Sequence, residues 1–434
     1  MKQAFTRRSI IATTSGNVLE WYDFTVYGFL APIIGSVFFP ADNRLASILS
    51  AFAVLAVGYG VRPLGSIIFG HIGDVMGRKP ALLISVLVMG FGSLGIAILP
   101  TYEQIGIAAA VLLVIIRVLQ GISVAGEFTA SGVMTIEQSP PERQARNGAF
   151  IVCAMLLGCV LGSAVPALLS TFLTEEQVTA WGWRLPFLFG ALIAVLCAVL
   201  RRDLSESLAA GQKEQSGVSP VYETLRHHFG LLVQMVILLI PTAVIYFLIF
   251  VYAASYLTDE MHVSSSRALD ITTTNLLIMA LAAPIFGLLA GRFGLRVVLM
   301  TTTLLTIVLA WPLWSMMHDT SSTSIFLGQM GLALLNSAGW ALAVTILTGV
   351  SAPGLKCSTV ALGYNTCMAL FGGTTPIIAT YLVSRTSDDF APVYYLIATS
   401  ILSLWVIWRL PALKAKWDRT GEGQIKKPAI AKPG

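Results

Sequence analysis

Charge is what this sequence has least of. Of its 434 residues 11% are charged and 56% hydrophobic, and the mean hydropathy is +0.79. A soluble domain carries about 25% charged residues, so a water-exposed globular fold is excluded. Histidine is scarce as well. The five, at 71, 227, 228, 262 and 318, read as loop residues, which leaves no helix-buried pair to hold a haem. Cys153, Cys159, Cys197, Cys357 and Cys367 lie in or beside apolar segments without metal-ligand spacing, which argues against a disulfide scaffold and a metal site. There is no nucleophile–base pair, nucleotide loop or soluble output domain, so an enzyme or a sensor has little support and no cofactor is expected.

What the chain has instead is long apolar runs, each able to cross about 30 Å of hydrocarbon. They fall at 12–38, 46–69, 80–99, 106–134, 147–172, 183–200, 230–257, 270–290, 297–316, 324–349, 357–383 and 392–410. None shows the ten-residue alternation of a membrane barrel. The expected fold class is therefore an all-α polytopic membrane protein with twelve transmembrane helices in two six-helix bundles. The N-terminal bundle is expected over 1–200 and a linker over 201–229. The C-terminal bundle follows over 230–410, and a basic, disordered tail over 411–434. The start, MKQAFTRRSII, imitates a signal peptide, but Asn17, Glu20 and Asp23 interrupt its apolar run, so it is read as the retained entry to span 1.

Loop charges orient the chain. With both termini in the cytoplasm, 21 of the 27 Lys and Arg fall on the cytoplasmic side. Four (Arg44, Arg184, Arg267 and Arg385) fall on the other, and Arg62 and Arg117 lie within spans. Such a bias sets topology, and it accounts for the pI of 8.9 without any nucleic-acid partner. The expected location is the cytoplasmic (inner) membrane, crossed many times by a chain that works as a monomer. The halves also echo each other. GHIGDVMGRK (70–79) and GLLAGRFGLR (287–296) stand 217 residues apart, half the chain, and share two glycines seven residues apart followed two positions later by a basic residue, Lys79 or Arg296. Duplicated halves suit transporters, whose substrate sits between two bundles that rock about it.

The stretch GNVLEWYDFTVYG (16–28) raises the central question, because it places two carboxylates inside an apolar span. Glu20, Asp23, Arg62, Arg117 and Glu127 all lie within spans. Exposed to lipid, five such groups would cost on the order of 12 to 17 kcal/mol, so they must face protein or water. At 100° per residue Glu20, Asp23 and Tyr27 occupy about 60° of one helix face, with Asn17 at its edge. Arg117, Gln120, Glu127 and Ser131 occupy about 80° of another. Arg117 and Glu127 are roughly 15 Å apart along the axis and cannot pair. Asp23 is instead expected near the depth of Arg117, and Glu20 near that of Glu127. Carboxylates in a partly dry cavity hold protons more readily, as a proton carrier requires. Asp23, Glu20 and Glu127 are therefore the candidate proton-coupling residues, with Asp23 first. Arg117 reads as counter-ion, substrate anchor or both. Arg62 reads as a snorkelling or capping residue near the cytoplasmic end.

The second half has no ionisable residue at membrane depth. Its polar candidates are Tyr246, Tyr252, Asn275, Asn336, Trp340, Tyr364 and Asn365. Together with Arg117, Gln120 and Tyr27, the residues Tyr246, Asn336, Trp340, Tyr364 and Asn365 form the expected substrate-binding set. The halves thus divide labour, charge in the first and shape and hydrogen bonding in the second.

GNVLEWYDFTVYG, VRPLGSIIFGHIGDVMGRK, RVLQGISVAGE, WGWRLPF and LGYNTCMALFGGTTPI together resemble the metabolite:proton symporter family of the major facilitator superfamily, over nearly the whole chain from Arg8 to Leu410. That family includes carriers for proline and betaine, 2-oxoglutarate, shikimate and citrate, driven by the inward proton gradient. The resemblance implies a central cavity between two pseudosymmetric bundles. It also implies a cytoplasmic gate in which Asp74, Gly77, Arg78 and Lys79 form the superfamily's latch loop. Arg117 matches the family's coupling arginine, and Glu20, Asp23 and Glu127 match its embedded acids. The sequence departs from the pattern in three places. Ala125-Gly126 replaces the usual two glycines before Glu127, Gly291 stands where an aspartate would align with Asp74, and the tail has no heptad repeat. The function expected is proton-coupled import of a small organic acid or zwitterion by alternating access. A proton-driven antiporter exporting amphipathic compounds is the alternative, since superfamily exporters share the same spans and loop.

Overall fold

The computed structural model describes residues 7–41, 44–206, 219–253, 265–319 and 321–422. Among them there are helices and turns but no strand. We number the twelve membrane-crossing helices α1–α12. The first six are α1 (Arg7–Phe29, continued by Ala31–Phe38), α2 (Arg44–Gly60 and Arg62–Val75), α3 (Arg78–Ile98), α4 (Ile107–Gln138), α5 (Gln144–Phe172) and α6 (Arg184–Arg201). The second six are α7 (Phe229–Phe247, continued by a wide turn to Tyr252), α8 (Ser265–Phe293), α9 (Leu295–Met317), α10 (Ser322–Val350), α11 (Lys356–Cys367, then Thr375–Thr386) and α12 (Ala391–Glu422). Eleven segments among the described residues are long and apolar enough to cross a membrane by composition alone. The segment that falls short is α1, whose apolarity is lowered by Arg8, Asn17, Glu20 and Asp23.

Proline explains two of the breaks. Pro32 and Pro63 each sit in the first turn of a resumed helix, where a missing N–H costs nothing. The second break sets Arg62 at the start of the inner segment of α2. That segment runs on to Val75, so Arg62 is about 20 Å from its end and near mid-membrane. The span limit at 69 was too short, and Arg62 is not a snorkelling residue at the boundary.

Repeat glycines do matching work in the two halves. Gly77 (φ +119°) and Gly294 (φ +91°) are equivalent positions, and each opens the following helix from a backbone conformation that side chains rarely adopt. Their partners Gly70 and Gly287 let helices of opposite halves touch. A Cβ on Gly70 would lie 2.9 Å from the Ser358 backbone, and one on Gly287 2.8 Å from that of Arg146. The interfaces α2–α11 and α5–α8 are thus counterparts. The largest apolar cluster crosses them, joining Trp21, Phe128 and Met155 to Leu239, Tyr246, Trp340 and Tyr364. Outside, residues such as Phe91, Ile98, Val195 and Val308 form an exposed apolar belt suited to lipid.

Part of the linker is helical. Pro220–His227 is a short helix that buries Val221 and Thr224, while 207–218 lie outside the described residues. The tail departs from expectation. Residues 411–422 continue α12 as helix, because ALKAKWDR is rich in helix-forming Ala, Leu, Lys and Arg. His262 and the tail beyond 422 fall outside the described residues.

Candidate functional site

The polar stripe of α1 faces α3, α4 and α6. Asp23 is fully buried and meets Arg117 Nη1 at 2.7 Å. Ser93 Oγ donates to its other oxygen at 2.6 Å, and Gln120 Nε2 donates to Oδ2 at 3.2 Å. The Arg117 guanidinium lies 3.9 Å from the centre of the Tyr27 ring, which covers its flat face. Nε and Nη2 of Arg117 and the Tyr27 hydroxyl have no hydrogen-bond partner. Asn17 donates to Ser131 at 2.9 Å, so the two stripes meet at that level too.

Glu127 has a different partner from any read in the sequence. Arg201, counted above as a cytoplasmic loop residue, is the last residue of α6 and fully buried. Its guanidinium grips Glu127 with both terminal nitrogens, Nη1 to Oε2 at 2.9 Å and Nη2 to Oε1. Ser85 adds a bond to Oε2 at 3.0 Å, and Arg201 also donates to the carbonyls of Ala12 and Leu82 at 3.1 and 2.8 Å. A side chain on Gly16 would overlap this pair. The missed signal was a charge count. Three acids against two arginines inside the spans left one carboxylate without a cation.

Glu20 stands apart. It is buried within electrostatic reach of Arg62, yet no ion pair joins them and Oε2 has no partner. Arg62 is 1% exposed. Its guanidinium stacks over Tyr59 at 4.2 Å, with Phe24 at 5.2 Å and Trp21 at 5.9 Å.

The second half presents aromatic faces to this region. Tyr246 lies 6.1 Å from both Trp21 and Trp340, and Trp340 lies 6.0 Å from Tyr364. Tyr364 stacks on Phe128 of α4 at 4.3 Å, and Tyr246 touches Cys159 of α5 at 3.7 Å. The two amides are more committed. Asn336, in the orientation that satisfies both its atoms, donates to the Thr242 carbonyl and accepts from the Tyr246 N–H. Asn365 donates to the carbonyls of Ala361 and Ala125. Asn275 and Tyr252 lie elsewhere, the first bonded to Gln329 and the second stacked on Trp314.

The loop after α2 joins the halves at the face where α1 begins. Asp74 accepts backbone N–H bonds from Cys357 (3.0 Å) and Ser358 (2.8 Å), so its carboxylate caps the N-terminus of α11. Arg78 donates to the Gly73 carbonyl at 2.7 Å and reaches Glu137 on α4, which also meets Lys356. Glu206 of the linker accepts from the backbone of Arg78 and Lys79 and thereby caps α3. Lys79 Nζ donates to the Arg202 carbonyl at 2.8 Å. Gly291, the counterpart of Asp74, has only the Glu142 carbonyl near it, at 3.4 Å from an added Cβ. The second-half loop therefore closes without an acid.

Comparison with known proteins follows the same architecture. The family model described as Major Facilitator Superfamily matches residues 13–269 and 235–432. The glycine betaine/proline/ectoine/pipecolic acid transporter OusA of Dickeya dadantii (strain 3937) is 32% identical over 411 residues, 92% of this chain and 82% of that one. The proline/betaine transporter of Salmonella typhimurium is 32% identical over 410 residues, with the same coverage. Among solved structures, the proton:xylose symporter XylE superposes with a TM-score of 0.76 at 17% identity, covering 96% of this chain and all of that one. The human organic anion transporter MFSD10 gives 0.66 at 16%, covering 92% and 99%. These two structures bear on the fold alone.

Proposed function

The chain belongs to the major facilitator superfamily and to its metabolite:proton symporter family, and from that premise we propose that it imports a small zwitterion together with protons. The substrate chemistry follows the relatives, whose names carry proline and betaine. Basic loops set the orientation, with both termini in the cytoplasm of a bacterial cell.

One observation carries the reading: the fully buried Asp23–Arg117 pair between α1 and α4. In a dry interior the attraction of such a pair is far larger than in water. A proton taken from outside neutralises Asp23 and cancels that attraction. Arg117 is then held by its stacking on the rings of Tyr27, Phe24 and Phe187, without an ion pair to α1, and α1 is free to shift against α4. Asp23 is the proton site in this scheme. Glu127, gripped by Arg201 and Ser85, holds α6 against α1 and α4. For the substrate to leave inward, the Asp74 cap on α11 must open.

The test is uptake into proteoliposomes of labelled glycine betaine, proline and a panel of organic acids under an imposed pH gradient. Accumulation that rises as the outside is acidified supports symport. Accumulation that falls identifies an exporter.

A further inference from the structure

Among the described residues four arginines are buried in the N-terminal half, and three of them are spoken for: Arg78 meets Glu137 at 3.2 Å and Asp74 at 3.5 Å. Arg117 is neutralised by Asp23 at 2.7 Å and Arg201 by a two-pronged bond to Glu127. Arg62 is as deeply buried, yet among the described residues no carboxylate lies within 4.0 Å of it. Its Nε and Nη1 have no hydrogen-bond partner. A buried guanidinium in that condition is strongly unfavourable, and buried polar atoms nearly always find partners. Orphaned atoms also collect around it. Glu20 Oε2, the indole N–H groups of Trp21 and Trp340 and the hydroxyl of Tyr364 are buried and unpartnered. They come from α1, α10 and α11, and Tyr364 lies within electrostatic reach of both Arg62 and Glu20. The set therefore spans both halves at the level where they must rock.

We infer that Arg62, rather than Arg117, anchors the substrate's carboxylate, while Glu20 and the aromatic faces of Trp21, Tyr246 and Trp340 receive its cationic end. The inference rests on the functional reading above and assigns the residues that select the substrate. The chemistry fits each element. Nε and Nη1 of Arg62 are the free donors a carboxylate needs. Its flat face is already covered by Tyr59, which fixes the plane in which those donors point. Trp21, Tyr246 and Trp340 meet edge to face, a cluster of rings whose faces would attract an alkylated ammonium group brought among them. Separating this anchor from Arg117 means that substrate binding leaves the proton-carrying pair intact.

The experiment measures Kd on the purified full chain for three matched probes. Glycine betaine carries both charges, choline lacks the carboxylate, and 3,3-dimethylbutyrate lacks the cation. Arg62→Gln is expected to weaken glycine betaine about 30-fold, the loss of a charge-assisted hydrogen bond, and to leave choline unchanged. Glu20→Gln is expected to weaken glycine betaine and spare 3,3-dimethylbutyrate. Arg62→Lys keeps the buried charge without the planar fork and serves if the glutamine variant does not fold. Its expected loss for glycine betaine is about 10-fold. Unchanged glycine betaine affinity in either Arg62 variant overturns the inference, as does an equal loss for choline. If the wild-type chain binds neither glycine betaine nor proline, the functional reading fails and the inference goes with it.

Discussion

In the N-terminal half, ion pairs divide the core. Asp23–Arg117 and Glu127–Arg201 run between apolar clusters, one around Tyr22, Tyr27 and Trp183, one around Phe69, Leu82 and Met134, and one around Leu19, Phe24 and Met89. In the C-terminal half the helices share one large cluster, and its buried polar side chains are amides, hydroxyls and ring N–H groups. The difference shows where movable charge sits. A proton can reset the electrostatics of the first half, whereas the second offers fixed shape. The same asymmetry recurs at the repeated loops, where Asp74 caps α11 but Gly291 caps nothing.

The largest effects are expected where the charged half loses one partner of a pair. Asp23→Asn leaves Arg117 buried without a counter-charge, a loss of about 3–5 kcal/mol. Accumulation driven by a pH gradient should then vanish while substrate exchange at equal pH survives. Retained accumulation in this variant would remove Asp23 from the proton path. Arg201→Gln strands Glu127 in the same way. It should lower stability by about 3–5 kcal/mol, with Glu127→Gln/Arg201→Gln recovering part of the loss, as thermal unfolding in detergent would reveal.

Smaller effects test the loops. Asp74→Asn weakens the anionic cap on α11 by about 1–2 kcal/mol, enough to open that interface roughly tenfold more often. Cys357, buried beside Gly73, reports the opening through faster maleimide labelling. Gly291→Asp should change labelling by less than about 0.5 kcal/mol, because a carbonyl rather than a helix N-terminus faces it. A large effect there would restore the symmetry that the structure breaks. Finally, Gly77→Ala and Gly294→Ala each force a side chain into a strained backbone conformation at about 1–2 kcal/mol. Gly77→Ala should cost more, because its Cβ would also overlap the Glu206 carboxylate, whereas nothing lies near Gly294. Equal melting temperatures for the two would contradict that difference.

Much of the site was legible early. Asn17, Glu20, Asp23 and Tyr27 announced one face of α1 by spacing, and Arg117 and Gln120 did the same on α4. Two arginines were misread for a common reason. Arg62 lies near the end of one apolar run and Arg201 just past the end of another, where hydropathy places a boundary. Actual helix ends depend on where the backbone keeps its hydrogen bonds. The inner segment of α2 continues to Val75 through a glycine-rich, less apolar stretch, and α6 keeps Arg201 inside because Glu127 neutralises it. Asn336 and Asn365 were chosen by type, and the structure spends their amides largely on backbone between helices. Glu137 and Glu206 carried no local signal, since pairing with side chains of other helices, or capping one, leaves no mark on a residue's own periodicity.

By itself the sequence determined the class of solvent, the helices, the duplicated loops and the two polar faces. Each of these follows from composition or from spacing along one helix. Only the tertiary structure decided which acid meets which arginine. Those partners are 74 and 94 residues apart in the chain, and their distance depends on how α1, α4 and α6 pack. Packing also left Arg62 as the buried cation without a carboxylate within 4.0 Å among the described residues, stacked over Tyr59 of its own half and within electrostatic reach of Tyr364 from the other.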